Sequence, residues 1–499
     1  LRTISGRRDQ KHTSRLRRIY QATFAGILLW GFGDGADAQT LVSLKHQSAN
    51  GVGIGFLLTD GRVLFQDATY LGEWVTLTPD NFGRYQTGTW QQVGRLPNGY
   101  IPDAFASAEL ADGRVVIAGG EYNGPNADFA LTNLCAIFDP LTNAWKPLAP
   151  PPNWKYIGDS PSVVLPNGKF LIGNKLDKRL ALLDPKTLTW TEPKSTGKKD
   201  FNAEEGWTLM PDGTVLTYDV KAAPHAERYD LATQAWTSLG STIANLQGPP
   251  DVASISYGPG LVYDPPGEVG PGILRPDGTV FATGALHNGA TAGHTAIYTP
   301  GPNGAAGTWK AGPDFPNQDD AADNFAALLP NGDVIVEGEN GAIYEFDGTN
   351  FTDTGLNGQD GSLIALPTGE ILVNGSALFR ETGKPDPAWA PTIIKAPAKL
   401  TRGSSYTISG RQFNGLSQAA AFGDEYQTAT NYPLVRITNQ ASKHVVFARS
   451  HDHSTMGVAT GKALVSTHFD VPAGTETGAA SLEVVANGIA SAPVTVTVD

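Results

Sequence analysis

Cysteine is almost absent. The chain has 499 residues and one cysteine, Cys135. No disulfide can form within it, so a fold of this size must rest on core burial and closed strand pairing. Charge is sparse as well: 17% of the residues are Asp, Glu, Lys or Arg, with a net charge of −13. Beyond the N-terminus no basic stretch can track a phosphate backbone, which excludes nucleic acid as a partner. No long segment repeats its apolar residues every 3.6 positions, so amphipathic helices are not expected. After the N-terminal stretch, no apolar run approaches the roughly 18 residues that would cross a membrane. No P-loop, zinc-finger or Ser-His-Asp spacing is present.

Glycine (58) and proline (35) are abundant, as suits many short strands joined by turns. The stretch from Asp103 to Gly120 shows the repeating unit: an apolar run, an Asp-Gly turn and a second apolar run. The turn recurs at Asp60-Gly61, Asp112-Gly113, Asn167-Gly168, Asp212-Gly213, Asp277-Gly278 and Asn331-Gly332, and as Thr368-Gly369. Asp-Gly between β-type runs predicts hairpins with type I′ turns. A spacing of roughly 50 residues predicts propeller blades. Each repeat continues into an outer half, such as Asp139-Pro140 to Trp145, Asp184-Pro185 to Trp190, and Asp230-Leu231 to Trp236. Asp-Pro starts a turn, and the closing aromatic can pack between neighbouring blades.

This combination of glycine turns and Asp-Pro…Trp segments resembles kelch repeats. The layout as a whole is similar to the galactose oxidase-like branch of that family. The expected fold is all-β: a seven-bladed kelch-type β-propeller over 39–383, a Pro-rich linker over 384–391, and an Ig-like β-sandwich over 392–499. The seventh repeat is short of strands, and Leu41 to Leu44 are expected to pair into it and close the ring. Ahead of the repeats, Arg7, Arg8, Lys11, Arg15, Arg17 and Arg18 precede a mainly apolar stretch, 19–32, and then Ala36-Asp37-Ala38. This reads as a secretory signal peptide over 1–38, and its apolar run is short for an uncleaved anchor. The expected location is secreted, periplasmic or cell-surface.

Nine or ten residues before the turn glycine, six of the seven repeats carry a carboxylate: Asp103, Asp159, Glu204, Glu268, Asp323 and Asp360. Glu205 competes with Glu204 for this position, and Asp319 and Asp320 lie near Asp323. A shared offset at the start of each innermost strand places the acids in a ring at the axial mouth. Three roles are open to them. They can brace turns by accepting backbone N–H bonds, hold a polar ligand or a divalent cation such as Ca²⁺, or act as general acid and base. Tyr100, Trp154, Tyr156, Trp207 and Phe325 lie near the expected rim, where aromatic faces would suit sugars.

In the sandwich, His451 and His453 would share one face of a strand and form a candidate metal pair. The resemblance implies a sandwich loop that carries a copper-binding histidine into the propeller axis, in roughly this part of the domain. It also implies a cysteine cross-linked to a tyrosine on the inner face, and a Tyr-His pair before the last blade's turn. Cys135 lies in the outer half of its blade, and Gln359-Asp360 stands at the Tyr-His step, so copper is disfavoured. The expected function is an exported propeller that binds a ligand, a glycan or an extracellular polymer, at its axial mouth, with a divalent cation. The alternative is a carbohydrate- or alcohol-active enzyme with altered metal ligands.

Overall fold

A computed structural model describes residues 39–499 except 98, 250–254, 257–261, 264–266, 288 and 360. The expected signal segment and Asp360 therefore lie outside the described residues. No helix among the described residues is long and apolar enough to cross a membrane.

Seven antiparallel sheets follow one another along the chain, at 52–92, 106–148, 162–191, 208–241, 272–311, 326–357 and 363–380. The last has three strands of its own. Thr40–Ser43 supplies the fourth by pairing with Ala377–Arg380, so a strand ahead of the first blade closes the ring. Innermost strands of successive sheets touch at most of the blade boundaries, and Leu363–Ala365 meets Val52–Leu57 across the closure. The molecule is a seven-bladed β-propeller. Trp145 shows how the blades adhere: its ring lies 4.7 Å from Trp74 of the preceding blade and 5.3 Å from Phe138 of its own.

The glycine turns differ in type from the expectation. In the first, Gly61 N–H donates to Leu58 O and Leu58 N–H donates to Arg62 O. Gly61 has φ +80° while Asp60 keeps negative φ. This is a three-residue loop, a type I turn closed by a left-handed glycine, and not a two-residue type I′ turn. The same pair of bonds recurs at all seven glycines. The Asp or Asn before six of the glycines accepts the N–H of the residue after it, as Asp112 does from Arg114. In two blades that residue is an arginine that reaches the next blade's Asp-Pro turn: Arg62 donates to Pro140 O and Arg114 to Pro185 O.

Residues 392–499 form a β domain with its own core, built on Ile408, Val435, Phe469, Leu482 and Val484. Val445–His451 changes partners midway. Val445 to Ala448 pair with Leu434–Asn439, and Arg449 to His451 pair with Val465–Asp470. The domain sits on the end of the propeller that carries the glycine turns. Phe447 packs on Gly61, Arg449 donates to Asp112 O, and Met456 N–H donates to Pro166 O.

Between Ser405–Arg411 and Leu434–Asn439 the domain sends a long segment, 412–433, up the propeller axis. Ala420–Ala421 adds a fifth strand to the inner edge of the sixth blade, opposite Ala326 and Ala327. Leu209 N–H donates to Gln418 Oε1. Gln427 N–H donates to Ser107 Oγ, and its side chain donates to Ser162 O. Tyr432 donates to Leu57 O. This axial plug thus engages blades one, two, three, four and six.

One buried acid at the domain junction is destabilising. Burial, followed by the nearby Asp60 and Asp112, pushes the Glu109 carboxyl well above the usual range, with Arg449 opposing. A raised folded pKa means full stability below the unfolded value of about 4.3 and progressive loss as pH rises above it. Glu109→Gln removes that penalty. It should stabilise the protein by about 1 kcal/mol at pH 8, with the gap closing near pH 4, as read from urea unfolding at both pH values.

Candidate functional site: the axial acid cluster

Each innermost strand runs from the axial mouth to its glycine turn, so the aligned acids and the turns occupy opposite ends. Asp103, Asp159, Glu204 and Glu268 are buried at the mouth end, while Asp323 is half-buried with φ +50°. The shared offset therefore marks one place.

That place contains groups from outside the repeat pattern. Lys175, fully buried, sends its Nζ to 3.0 Å from Glu121 and 2.9 Å from Glu204, and also contacts Asp159. Its stem passes Gly158, where a Cβ would lie 2.8 Å from the Lys175 Cβ, so the residue before Asp159 has to be small. The plug contributes Asp424, Glu425 and Tyr426. Tyr426 donates to Asp103 Oδ1 at 2.7 Å and accepts the Ala104 N–H at 2.7 Å. Phe422 meets the Tyr426 ring edge-on at 5.3 Å and packs against Phe325 at 4.7 Å.

Three carboxylate sets could each surround one cation, with oxygens within 4.8 Å of one another: Glu121–Asp159–Glu204, Asp159–Asp424–Glu425 and Glu204–Glu268–Asp424. The Lys175 ammonium occupies the first. The other two share Asp424. That side chain is buried, and neither of its oxygens meets a hydrogen-bond donor among the described residues. Burial, then the adjoining Glu425, pushes the Asp424 carboxyl well above the usual range. Burial and Glu121 do the same to Asp159, with Lys175 opposing. Like charges held out of water behave this way unless a cation or donors neutralise them.

Glu204 and Glu205 do not compete; they serve different lysines. Glu205 holds the Nζ of fully buried Lys198 at 2.8 Å, together with Glu227 at 2.6 Å and Asp219 at 3.6 Å. Burial alone would lower the Lys198 pKa, but these three acids outweigh it and hold it above the lysine range. Asp319 turns away from the cluster and accepts from Tyr344 at 2.8 Å.

The histidine pair is corrected. Asp452 has φ +50° and the strand ends at His451, so His451 and His453 do not share a strand face. His453 is buried against the glycine-turn end of blade two. There its N–H donates to Ala111 O and its Nδ1 contacts Thr467 Oγ1 at 2.8 Å. His451 lies between Asp452 and Asp470. Neither belongs to a potential metal-binding group among the described residues. The loop that enters the axis is 412–433, and it brings carboxylates where a histidine was expected. Of the rim aromatics, Tyr100, Trp154, Trp207 and Phe325 are buried in the core and do not face solvent.

The copper group implied by the resemblance does not fit. The donor sets at the axis are carboxylates, which suit hard cations, and among the described residues no imidazole or thiol joins them. Cys135 is buried in the third strand of blade two, where burial pushes its thiol pKa up. It packs and does not ligate.

Fold and site together define a plugged, seven-bladed propeller with an acidic axial mouth. No family model and no curated protein matches the chain. Solved structures similar to it include a fungal alcohol oxidase of the AA5 family in complex with copper. It is 14% identical over 93% of this chain and 99% of that one, with a TM-score of 0.49. Another is a catalytically inactive virginiamycin B lyase from Staphylococcus aureus with Quinupristin, 12% identical over 63% and 88%, TM-score 0.41. A third is YjhT, 14% identical over 62% and 99%, TM-score 0.39.

Proposed function

We propose that the protein is an exported propeller that binds a ligand, a glycan or an extracellular polymer, at its axial mouth through a divalent cation, with Ca²⁺ the best match. The observation that supports this reading is Asp424: a buried carboxylate with no donor, shared by two sets of acids. Hard oxygen ligands at this spacing suit Ca²⁺, whose irregular coordination tolerates carboxylates from different blades. The cation would join blades three, four and five to the plug and leave outer positions for ligand hydroxyls.

The test uses Ca²⁺ alone. Metal analysis of purified protein should find about one divalent cation per chain, and removing it with a chelator should lower Tm. Asp424→Asn preserves shape but loses charge, and should weaken Ca²⁺ binding at least about tenfold by calorimetry. Equal binding by wild type and Asp424→Asn, or no cation in either, sinks the reading. Stoichiometric copper with hydrogen peroxide formed from alcohols would replace it with an oxidase.

A further inference from the structure

The sequence shows no Ser-His-Asp spacing, yet folding assembles one. Asp219 follows the second strand of blade four, His225 opens the third, and Ser238 lies in the fourth, Ala235–Ser241. All three lie toward the mouth end of the blade. His225 Nδ1 is 2.5 Å from Asp219 Oδ2, and His225 Nε2 is 2.7 Å from Ser238 Oγ. A carboxylate can only accept here, so Nδ1 carries the proton and Nε2 is left to accept from the serine. We propose that Ser238 and His225 form an acyl-transfer site, oriented by Asp219, that acts on small carboxylic esters reaching the propeller rim from solvent.

The geometry is graded as such chemistry needs. The Asp219 side chain is fully buried, His225 is 24% exposed, and Ser238 is exposed. The His225 backbone oxygen accepts the Asp219 N–H at 2.8 Å, so acid and imidazole are fixed to each other twice. The strand register slips between Ala226 and Glu227. Ser238 faces Glu227 and Gly240 faces Ala226, so Leu239 is left without a partner. A bulge of this kind re-aims side chains. It also frees the Gly240 N–H, which donates to Ser238 Oγ at 3.1 Å and so holds the hydroxyl in place. Gly240 has φ +80°, and a Cβ on it would touch nothing within 4 Å, so the space beside the nucleophile is open.

The charged groups facing Asp219 are Lys198, Glu205 and Glu227. Burial, partly offset by Lys198, raises Asp219 to about 6, so it is ionised and able to orient His225 above that pH. In the reaction Ser238 Oγ bonds to the ester carbonyl carbon while its proton passes to His225 Nε2. The carbonyl–alkoxy bond breaks and the alcohol leaves with that proton. Water then adds to the acyl-serine, giving the carboxylic acid and restoring Ser238.

The experiment treats the full chain with a fluorophosphonate probe and with p-nitrophenyl acetate. One adduct should form, mapped by mass spectrometry to Ser238. Ester hydrolysis should fall at least about 100-fold in Ser238→Ala and in His225→Ala, and in the wild type it should decline below pH 6. Ser238 is exposed, so Ser238→Ala should keep the wild-type Tm and decides the matter even if His225→Ala misfolds. No adduct on Ser238, or hydrolysis by Ser238→Ala at the wild-type rate, overturns the proposal.

Discussion

Lys175→Met is expected to destabilise the protein by about 3–5 kcal/mol, the penalty for leaving buried charges without their partner. The Lys175 ammonium is fully buried and contacts Glu121, Asp159 and Glu204, which are themselves buried. Methionine keeps most of the side-chain volume, so the loss reports charge more than packing. Adding Glu121→Gln and Asp159→Asn to Lys175→Met should recover part of it, because of the three buried acids around Lys175 only Glu204 then keeps its charge. The deficit should also shrink on acidification. Asp159 has its pKa raised, so its protonation begins above the usual carboxylate range and relieves the variant first. Denaturant unfolding of the single and triple variants at pH 7 and pH 5 measures all three effects. A loss below about 1 kcal/mol, as for a surface ion pair, would show that the lysine does not hold the blades together.

Gly206→Ala is expected to release the axial plug. Gly206 lies just past Glu204 and Glu205, and a Cβ on it would stand 2.2 Å from Gly423 O and 3.3 Å from Gly423 C. The obstacle is backbone, which cannot rotate away as a side-chain tip would. Gly206 is not in the left-handed region, so alanine suits its conformation and the clash is the whole effect. Overpacking of this kind costs about 1–3 kcal/mol. Here it should be felt as withdrawal of the segment that carries Asp424, Glu425 and Tyr426. Limited proteolysis should then cut within 412–433 in the variant and spare the wild type, and Ca²⁺ binding should fall with it. Resistance equal to wild type would mean the plug moves aside without leaving.

The blades were legible because their signals are local. A glycine turn of this kind is determined by two residues, and seven of them in phase describe a ring. Their type was misread, because Asp-Gly suits both a type I′ turn and a type I turn with a left-handed glycine; the choice depends on how many residues the loop spans. Closure by Leu41 to Leu44 was legible as well, since an apolar strand with no partner nearby matched a blade that lacked one. The plug was not. Its only regular structure is Ala420–Ala421, and a segment held by contacts to five blades needs no periodicity of its own. His451-Asp452-His453 looked like a strand pair until the positive φ at Asp452 broke the alternation.

The sequence alone determined the number of blades and the end at which Asp103, Asp159, Glu204, Glu268 and Asp323 stand. Tertiary structure alone decided what those acids meet. Lys175 reaches Glu121 from 54 positions away, and Tyr426 reaches Asp103 from 323. Contacts at such separations follow from ring closure and from the segment threaded through the ring. A carboxylate's role as brace, ligand or unsatisfied charge depends on which of these partners arrives.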